Sequence, residues 1–426
     1  MVDVAKVKMF GMNVGTFRWD SSYEVARFEY DAQFAGKGIE PSPLMMPVQQ
    51  GRIYSFENLN REVFNGLPGM LADSLPDTYG RALFDKWLTL TGRTVGNPIE
   101  TLCFLGQRCM GALEFEPATG PASADIKIEI DSLVEVAKEA LSKKEVFGAN
   151  LDIDRKAAMA EILRLGTSAG GQRAKAIIAY NKDTGEVRSG QVPAPEGFDY
   201  YLIKLDGVSA EAGFKETENF GRLEYSFSLL AKECGIEMTD CSLIEENGRA
   251  HFLTKRFDRA NGEKIHMQTL CGMAHYDFHL HRAYSYEQAF NVMRRLRLPY
   301  SQAEEMFLRM VFNVVIRNQD DHTKNISFLM DKTGKWTLSP AYDIGFAYNP
   351  KGSWTDTHQM SINGKFDDIT RQDLLVCAAA NNIKNAAEII DKVCETTAKW
   401  PEMAKNCGVP QEMIDARLPY MLLNVR

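Results

Sequence analysis

Apolar residues at Leu223, Phe227, Leu230 and Cys234 fall at i, i+4, i+7 and i+11, the stripe of a helix that Gly235 stops. The same period through Met306, Phe307, Met310, Val311, Val314 and Val315 predicts a second helix running to about Arg317. Elsewhere the period is two. Residues 1–16 alternate apolar and polar positions and read as strands, and residues 200–205 alternate so that Lys204 shares a strand face with Tyr200 and Leu202. Strands at 242–245 and 251–254 flank Glu246, Asn247 and Gly248, a hairpin turn, and strands at 326–330 and 335–338 flank a turn at 331–334. Further helices are predicted over 131–143 and 155–165, and from an Asp77 cap through Leu83, Trp87 and Leu90. The C-terminal 80 residues read as loop followed by alanine-rich helices.

A stretch poor in packable side chains at 117–124 marks a domain boundary. With 426 residues the chain has room for two or three domains, and its 45% apolar and 25% charged residues exclude wholesale disorder and fibrous repeats. A net charge of -8 makes the molecule a poor binder of nucleic acid by charge alone. Eight scattered cysteines without a CxxC pair or zinc-like spacing fit reduced thiols. No apolar run is long enough for a bilayer, and the N-terminus lacks the pattern of a signal peptide, so a cytoplasmic protein without membrane contact is expected.

The chemistry concentrates in five places. Residues 166–175 form a glycine-rich turn before the strand at 176–180, and unblocked backbone amides there could hold phosphate. Lys204 places an ammonium among large side chains, and Glu224 follows on the next helix. The loop after the second helix carries Asp320 and Asn325, five apart, and a hairpin then leads to Asp343. Phosphoryl transfer needs such a set: a carboxylate for the substrate hydroxyl proton, with an amide oxygen and a second carboxylate for magnesium. Protein kinases share the five-residue step and the order of parts. Each part alone has a plain structural reading, a tight turn, a snorkelling lysine or a solvated loop; five in order do not. Asn318 and Gln319 replace the usual His-Arg, and Tyr342 precedes the metal aspartate where Asp-Phe-Gly is usual, so an orthodox eukaryotic-type kinase is not expected.

Over essentially its whole length the chain resembles the HipA family of type II toxin-antitoxin kinases. The matching segments are 64–81, 105–106 through 111–113, 166–175, 201–205, 224–235, 255–259 (Lys-Arg-Phe-Asp-Arg), 320–325 (Asp-Asp-His-Thr-Lys-Asn) and 340–343 (Pro-Ala-Tyr-Asp). The resemblance implies an α+β, bilobal protein-kinase-like fold. Its parts would be an extra N-terminal subdomain at 1–118 packed on the small lobe, a β-rich small lobe at 125–265 and a helical lobe at 266–426. It implies a serine/threonine kinase using ATP and Mg2+, with Asp320 catalytic and Asn325 and Asp343 as magnesium ligands. Lys204 would meet the nucleotide phosphates, under a cover formed by Gly170, Gly171, Gln172, Arg173 and Lys175. Lys255, Arg256 and Phe257 would form the adenine hinge, with His322, Lys324 and Tyr342 near the nucleotide. Family members autophosphorylate a serine in the glycine-rich segment; here Ala169 or Gly170 takes that position, and Ser168 is the candidate. The implied partners are a protein substrate, an aminoacyl-tRNA synthetase in studied members, and a small helix-turn-helix antitoxin through which DNA is reached.

Two other classes compete: a small-molecule phosphotransferase of the aminoglycoside or choline kinase type, and a degenerate kinase serving only as antitoxin corepressor. The segment 64–81 argues against the first and the intact Lys204, Asp320, Asn325 and Asp343 against the second. His275, His279 and His281 with Asp277 form the one histidine cluster, and a four-residue step could place two imidazoles on a helix face for zinc. No other ligand motif accompanies them, so a loop or substrate-adjacent surface is the preferred reading. Arg294, Arg295 and Arg297 read as a solvated helix face.

Overall fold

The alternation near the N-terminus folds into β1 (Val4–Met9) and β2 (Met12–Asp20), with Ala5, Val7 and Met9 turned inward. Phe10 and Gly11, both at positive φ, make the tight turn between them. β3 (Val25–Tyr30), β4 (Ile53–Tyr54) and β5 (Leu113–Glu116) complete an antiparallel sheet in the order β4-β3-β2-β1-β5, and the short helix α1 (Gly69–Ala72) lies between the last two. The computed structural model describes residues 2–76, 80–81, 84–85, 88–89, 92, 96–120, 127–141, 173–209, 213–214, 218–260 and 262–425. The Asp77 cap with Leu83, Trp87 and Leu90, the helix at 155–165 and the glycine-rich residues 166–172 lie outside these.

The second sheet has the order β10-β11-β8-β6-β7 with β9 on β8, antiparallel throughout. Its strands are β6 (Arg173–Tyr180), β7 (Val187–Ser189), β8 (Asp199–Ser209), β9 (Gly213–Phe214), β10 (Cys241–Glu246) and β11 (Arg249–Lys255). Helix α2 (Ile130–Leu141) covers one face, packing Leu133, Val134 and Ala137 on Ile178, Ile203 and Leu253. Helix α3 (Phe220–Cys234) lies on the other face; Gly221 lets it approach β11, since a Cβ there would stand 2.0 Å from the Ala250 carbonyl. The stripe Leu223, Phe227, Leu230 and Cys234 is buried, Phe227 stacks on Trp400 at 4.8 Å, and Gly235 ends the helix in the left-handed conformation.

The hairpin β12 (Arg259–Ala260) and β13 (Glu263–Lys264) leads into the helical lobe. Its strands are β14 (His266–Thr269), β15 (Tyr284–Ser285), β16 (Ser327–Met330), β17 (Trp336–Leu338) and β18 (Met360–Ser361). β16 lies between β14 and β17, and β15 pairs in parallel with β18. Its helices are α4 (Leu270–Ala274), α5 (Tyr286–Arg295) and α6 (Tyr300–Ile316), then Arg371–Ala380, Ala386–Thr397, Trp400–Asn406 and Gln411–Asp415. The predicted apolar face of α6 is fully buried and Arg317, at φ 58°, turns the chain out of the helix into the loop at 318–325. All eight cysteines are free thiols, and among the described residues no helix is long and apolar enough to cross a membrane.

The N-terminal unit packs on the helical lobe and also meets residues 258–264 of the small lobe. Among the described residues its hydrophobic core is continuous with that of the helical lobe, whereas the sheet face under α2 has a separate core. The reason is a built seam. α1 lies on α4 so closely that a Cβ on Gly69 would stand 2.2 Å from the Gly272 carbonyl. Asp73 accepts hydrogen bonds from the Thr269 amide (2.7 Å) and hydroxyl (2.8 Å), and Thr269 caps α4. His275 Nε2 accepts from the Gly69 amide at 3.0 Å between the rings of Phe56 and Phe64. Farther along, the Asp258 carboxylate takes the Gly111 amide at 2.7 Å and is sandwiched by Arg256 and Arg259, whose charges overcome burial and hold it well below the usual carboxylate range.

Two outcomes follow from this seam. Asp73→Ala leaves the Thr269 amide without its acceptor and should cost about 2 kcal/mol in urea unfolding. Burial pushes the His275 imidazole down to about 4 from its ordinary 6.5, so between those values only the unfolded chain takes up its proton and stability falls as pH falls. His275→Gln, which keeps an acceptor for Gly69 and cannot titrate, should lose about 2 kcal/mol less than the native chain between pH 7 and pH 5. Equal losses would refute a buried neutral imidazole.

Candidate active site

Lys204 projects from β8 opposite Lys175 of β6. Its ammonium lies 2.5 Å from Glu224 Oε1 on α3 and 2.6 Å from Asp343 Oδ1. Burial disfavours the ammonium, but Asp343 and Glu224 more than compensate and hold it charged; Lys204 in turn keeps Asp343 far below the usual carboxylate range. Asp343 itself adopts φ 55°, an uncommon conformation for a residue with a side chain. Two residues before it, the Ala341 amide donates to the Glu237 carbonyl at 2.7 Å. Its side chain is 45% exposed, facing the cleft between the lobes.

The loop at 318–325 is folded by its own polar groups. Asn325 Nδ2 donates to the Asp320 carbonyl at 2.8 Å, which leaves the Asn325 amide oxygen for another partner. Asp320 Oδ1 accepts from the indole N–H of Trp354 at 2.7 Å, with His322 Nε2 3.8 Å away. Burial raises the Asp320 carboxyl above its ordinary range, against the lowering effects of His322 and the Trp354 bond. Asp321, buried, accepts from Tyr286 (2.9 Å) and the Gln359 amide (2.8 Å) and pairs with His358 Nδ1 at 2.8 Å. Amides of α4 also grip this loop: Leu270 on the Ile326 carbonyl at 2.7 Å and Cys271 on the Thr323 carbonyl at 3.1 Å. Asp73 therefore stands one hydrogen bond behind the loop, its carboxyl pushed up to about 6 by burial against the opposing charge of Lys324. His322, Asn325, Tyr342 and Asp343 line one cavity, and Lys204 and Glu224 another.

The structure thus gathers Lys175, Lys204, Glu224, Asp320, His322, Lys324, Asn325, Tyr342 and Asp343 around one cleft. Lys324 lies over the Phe278 ring at 4.7 Å, and the Tyr342 hydroxyl donates to the Lys324 carbonyl at 2.6 Å. The Tyr342 ring meets Phe257 at 5.5 Å. One expectation changes. Arg173 and Lys175 belong to a strand and not to the glycine-rich turn, because cross-strand pairing with β8 begins at Arg173. The Arg256 guanidinium is buried in its pair with Asp258, so only its backbone faces the hinge, where its amide donates to the Tyr200 carbonyl at 2.8 Å. Lys255 pairs with Asp199 at 2.7 Å.

The histidines do not share a helix face: α4 ends at Ala274, His275 at φ 56° turns away into the N-terminal seam, and no cluster of three or more His, Cys, Asp or Glu placed to hold a metal occurs among the described residues. His281 bonds Gln359 at 2.9 Å. Gly170, Gly171, Gln172 and Ser168 lie outside the described residues. Asp73, Asp321, Trp354, His358 and Gln359 escaped the sequence reading; for Asp321 the doublet with Asp320 was the available signal, and for Asp73 its place in the segment 64–81.

Comparison with known proteins bears on this arrangement. Residues 167–400 match the family model of the HipA-like C-terminal domain, and residues 5–116 match that of the HipA N-terminal domain. Among solved structures, the HipA of Shewanella oneidensis, determined with HipB and its operator DNA, is similar at 17% identity and TM-score 0.66, over 95% of this chain and 90% of that one. The Helicobacter pylori proinflammatory kinase CtkA matches at 14% identity and TM-score 0.33, over 53% of this chain and 88% of that one. No curated protein matches. With family models covering both its N-terminal unit and the segment that holds the cleft, the chain belongs to the HipA family.

Proposed function

We propose that the chain is a toxin kinase that transfers the terminal phosphoryl group of ATP, with Mg2+, to a serine or threonine hydroxyl of a protein. One observation carries the reading: Lys204 of the small lobe bonds Asp343, Asp343 and Asn325 line one cavity, and Asn325 is tied to the backbone of Asp320. The residues fit the absent groups. Asn325 and Asp343 offer the oxygen donors that a hard cation takes. The Nδ1 of His322 is buried without a hydrogen-bond partner among the described residues, and His322, Lys204 and Lys175 all act on Asp343, which offers cationic groups to an anion there. Bound magnesium supplies charge neutralisation on the nucleotide phosphates.

In this reading Asp320 orients the substrate hydroxyl and takes its proton, and Asn325 holds the Asp320 backbone in place. Lys204, steadied by Glu224, counters phosphate charge. The backbone of 255–257 and the Phe257 and Tyr342 rings would receive the adenine, and Gly170, Gly171 and Gln172 would cover the phosphates. Ser168 is the proposed site of autophosphorylation. The substrate class is a translation protein such as an aminoacyl-tRNA synthetase. The Shewanella relative was solved with HipB and operator DNA. A helix-turn-helix antitoxin of that kind would supply the DNA contact that a net charge of -8 does not favour.

Asp320→Asn should lower phosphate transfer to protein by about a thousandfold while ATP affinity stays within about threefold. Phosphoproteomics of cells expressing the native chain and this variant would reveal the substrate. Equal loss of nucleotide affinity and transfer would show Asp320 to be structural.

A further inference from the structure

Trp354 lies in the segment after Asp343, far from every motif that carries the kinase reading, yet its indole N–H donates to Asp320 Oδ1 at 2.7 Å. Among the described residues no hydrogen bond falls on Oδ2 of that carboxylate. The indole is anchored. Its backbone carbonyl accepts from the Gln359 side chain, and the Gln359 amide donates to Asp321 Oδ1 at 2.8 Å. The same side-chain nitrogen reaches the Gln319 carbonyl at 3.3 Å, and His358 pairs with Asp321 at 2.8 Å. Residues 354–359 therefore clasp 319–321 at several points, and Trp354 is the one that touches the reacting carboxylate. The ring is flanked by His281 at 5.6 Å and His322 at 6.4 Å.

A carboxylate on a loop rotates about two side-chain bonds unless something stops it, and a proton acceptor must aim one oxygen at its donor. A strong donor on one oxygen fixes the plane of the carboxylate and leaves the other free. We infer that Trp354 is a positioning residue of the phosphotransfer site, holding Asp320 by Oδ1 so that Oδ2 is presented to the substrate hydroxyl. The inference rests on the proposed kinase reading for its consequence, and on the Trp354–Asp320 contact alone for its physical content. The competing possibility is that the indole blocks the seat of the hydroxyl and must leave before transfer. The two readings differ in sign, since a blocking indole would make loss of its N–H raise kcat.

The test has two arms. In the first, Trp354→Phe keeps the ring and removes the donor. Its thermal midpoint and its affinity for MgADP should stay close to native, the KM for ATP should change by less than about twofold, and kcat should fall about tenfold. An unchanged or raised kcat overturns the inference, as does a loss shared between nucleotide affinity and kcat. In the second arm, the indole N–H resonance of Trp354 is identified by its loss in Trp354→Phe, and followed in Asp320→Asn. Exchanging the carboxylate for an amide should move that resonance upfield and leave the other four tryptophans of the chain in place. A resonance that does not move overturns the contact. Should the native chain transfer no phosphate at all, the kinase reading fails while the second arm still decides whether Trp354 holds Asp320.

Discussion

One ammonium group holds this cleft together. Lys204 stands between Glu224 and Asp343, each within 2.6 Å, so three elements of the polypeptide meet at a single cation. Without it two carboxylates would face each other across a partly buried gap, and Asp343 would have no reason to keep a left-handed backbone that costs on the order of 1 kcal/mol. The pair of anions also exceeds the charge that one lysine cancels. Lys175 also acts on Asp343 from the neighbouring strand, so the charges gathered here come close to balance.

The loop that bears Asp320 is over-determined. Asn325 ties it from within, Asp321 anchors it to Tyr286 and His358, α4 grips it from below, and Asp73 stands behind α4. The N-terminal unit reaches the other side of the cleft too, through Gly111 on Asp258 beside the hinge segment. A kinase-like core could in principle stand alone; here the segment at 255–259 and the loop at 318–325 are both braced by the same added unit.

What was legible in the sequence was periodic or closely spaced. The stripe from Leu223 to Cys234 and the face of α6 repeat often enough to outweigh local exceptions, and both are buried as expected. The step from Asp320 to Asn325 is legible because a single loop must fold on itself to join them. Contacts made by one side chain across a long separation leave no period. Asp73 meets Thr269 from 196 positions away, and Trp354 meets Asp320 from 34. Position in the fold, and not residue type, made them part of the site. The run of glycines before Lys175 suggested turn through that residue, but hydrogen bonding to a neighbouring strand, a non-local effect, extends the strand back to Arg173. The histidines share no helix face because α4 is five residues long and stops one position before the first of them.

The division of the apolar core has a mechanical consequence. α3 buries its stripe in the core that the N-terminal unit shares with the helical lobe, while the sheet that bears Lys204 packs its far face on α2 in a core of its own. The boundary between these masses runs between α3 and the sheet, and the bond from Lys204 to Glu224 crosses it. With the Arg222–Glu245 pair and the close seat of Gly221 against β11, that bond rivets the two masses together, so strain in either is passed to the lysine.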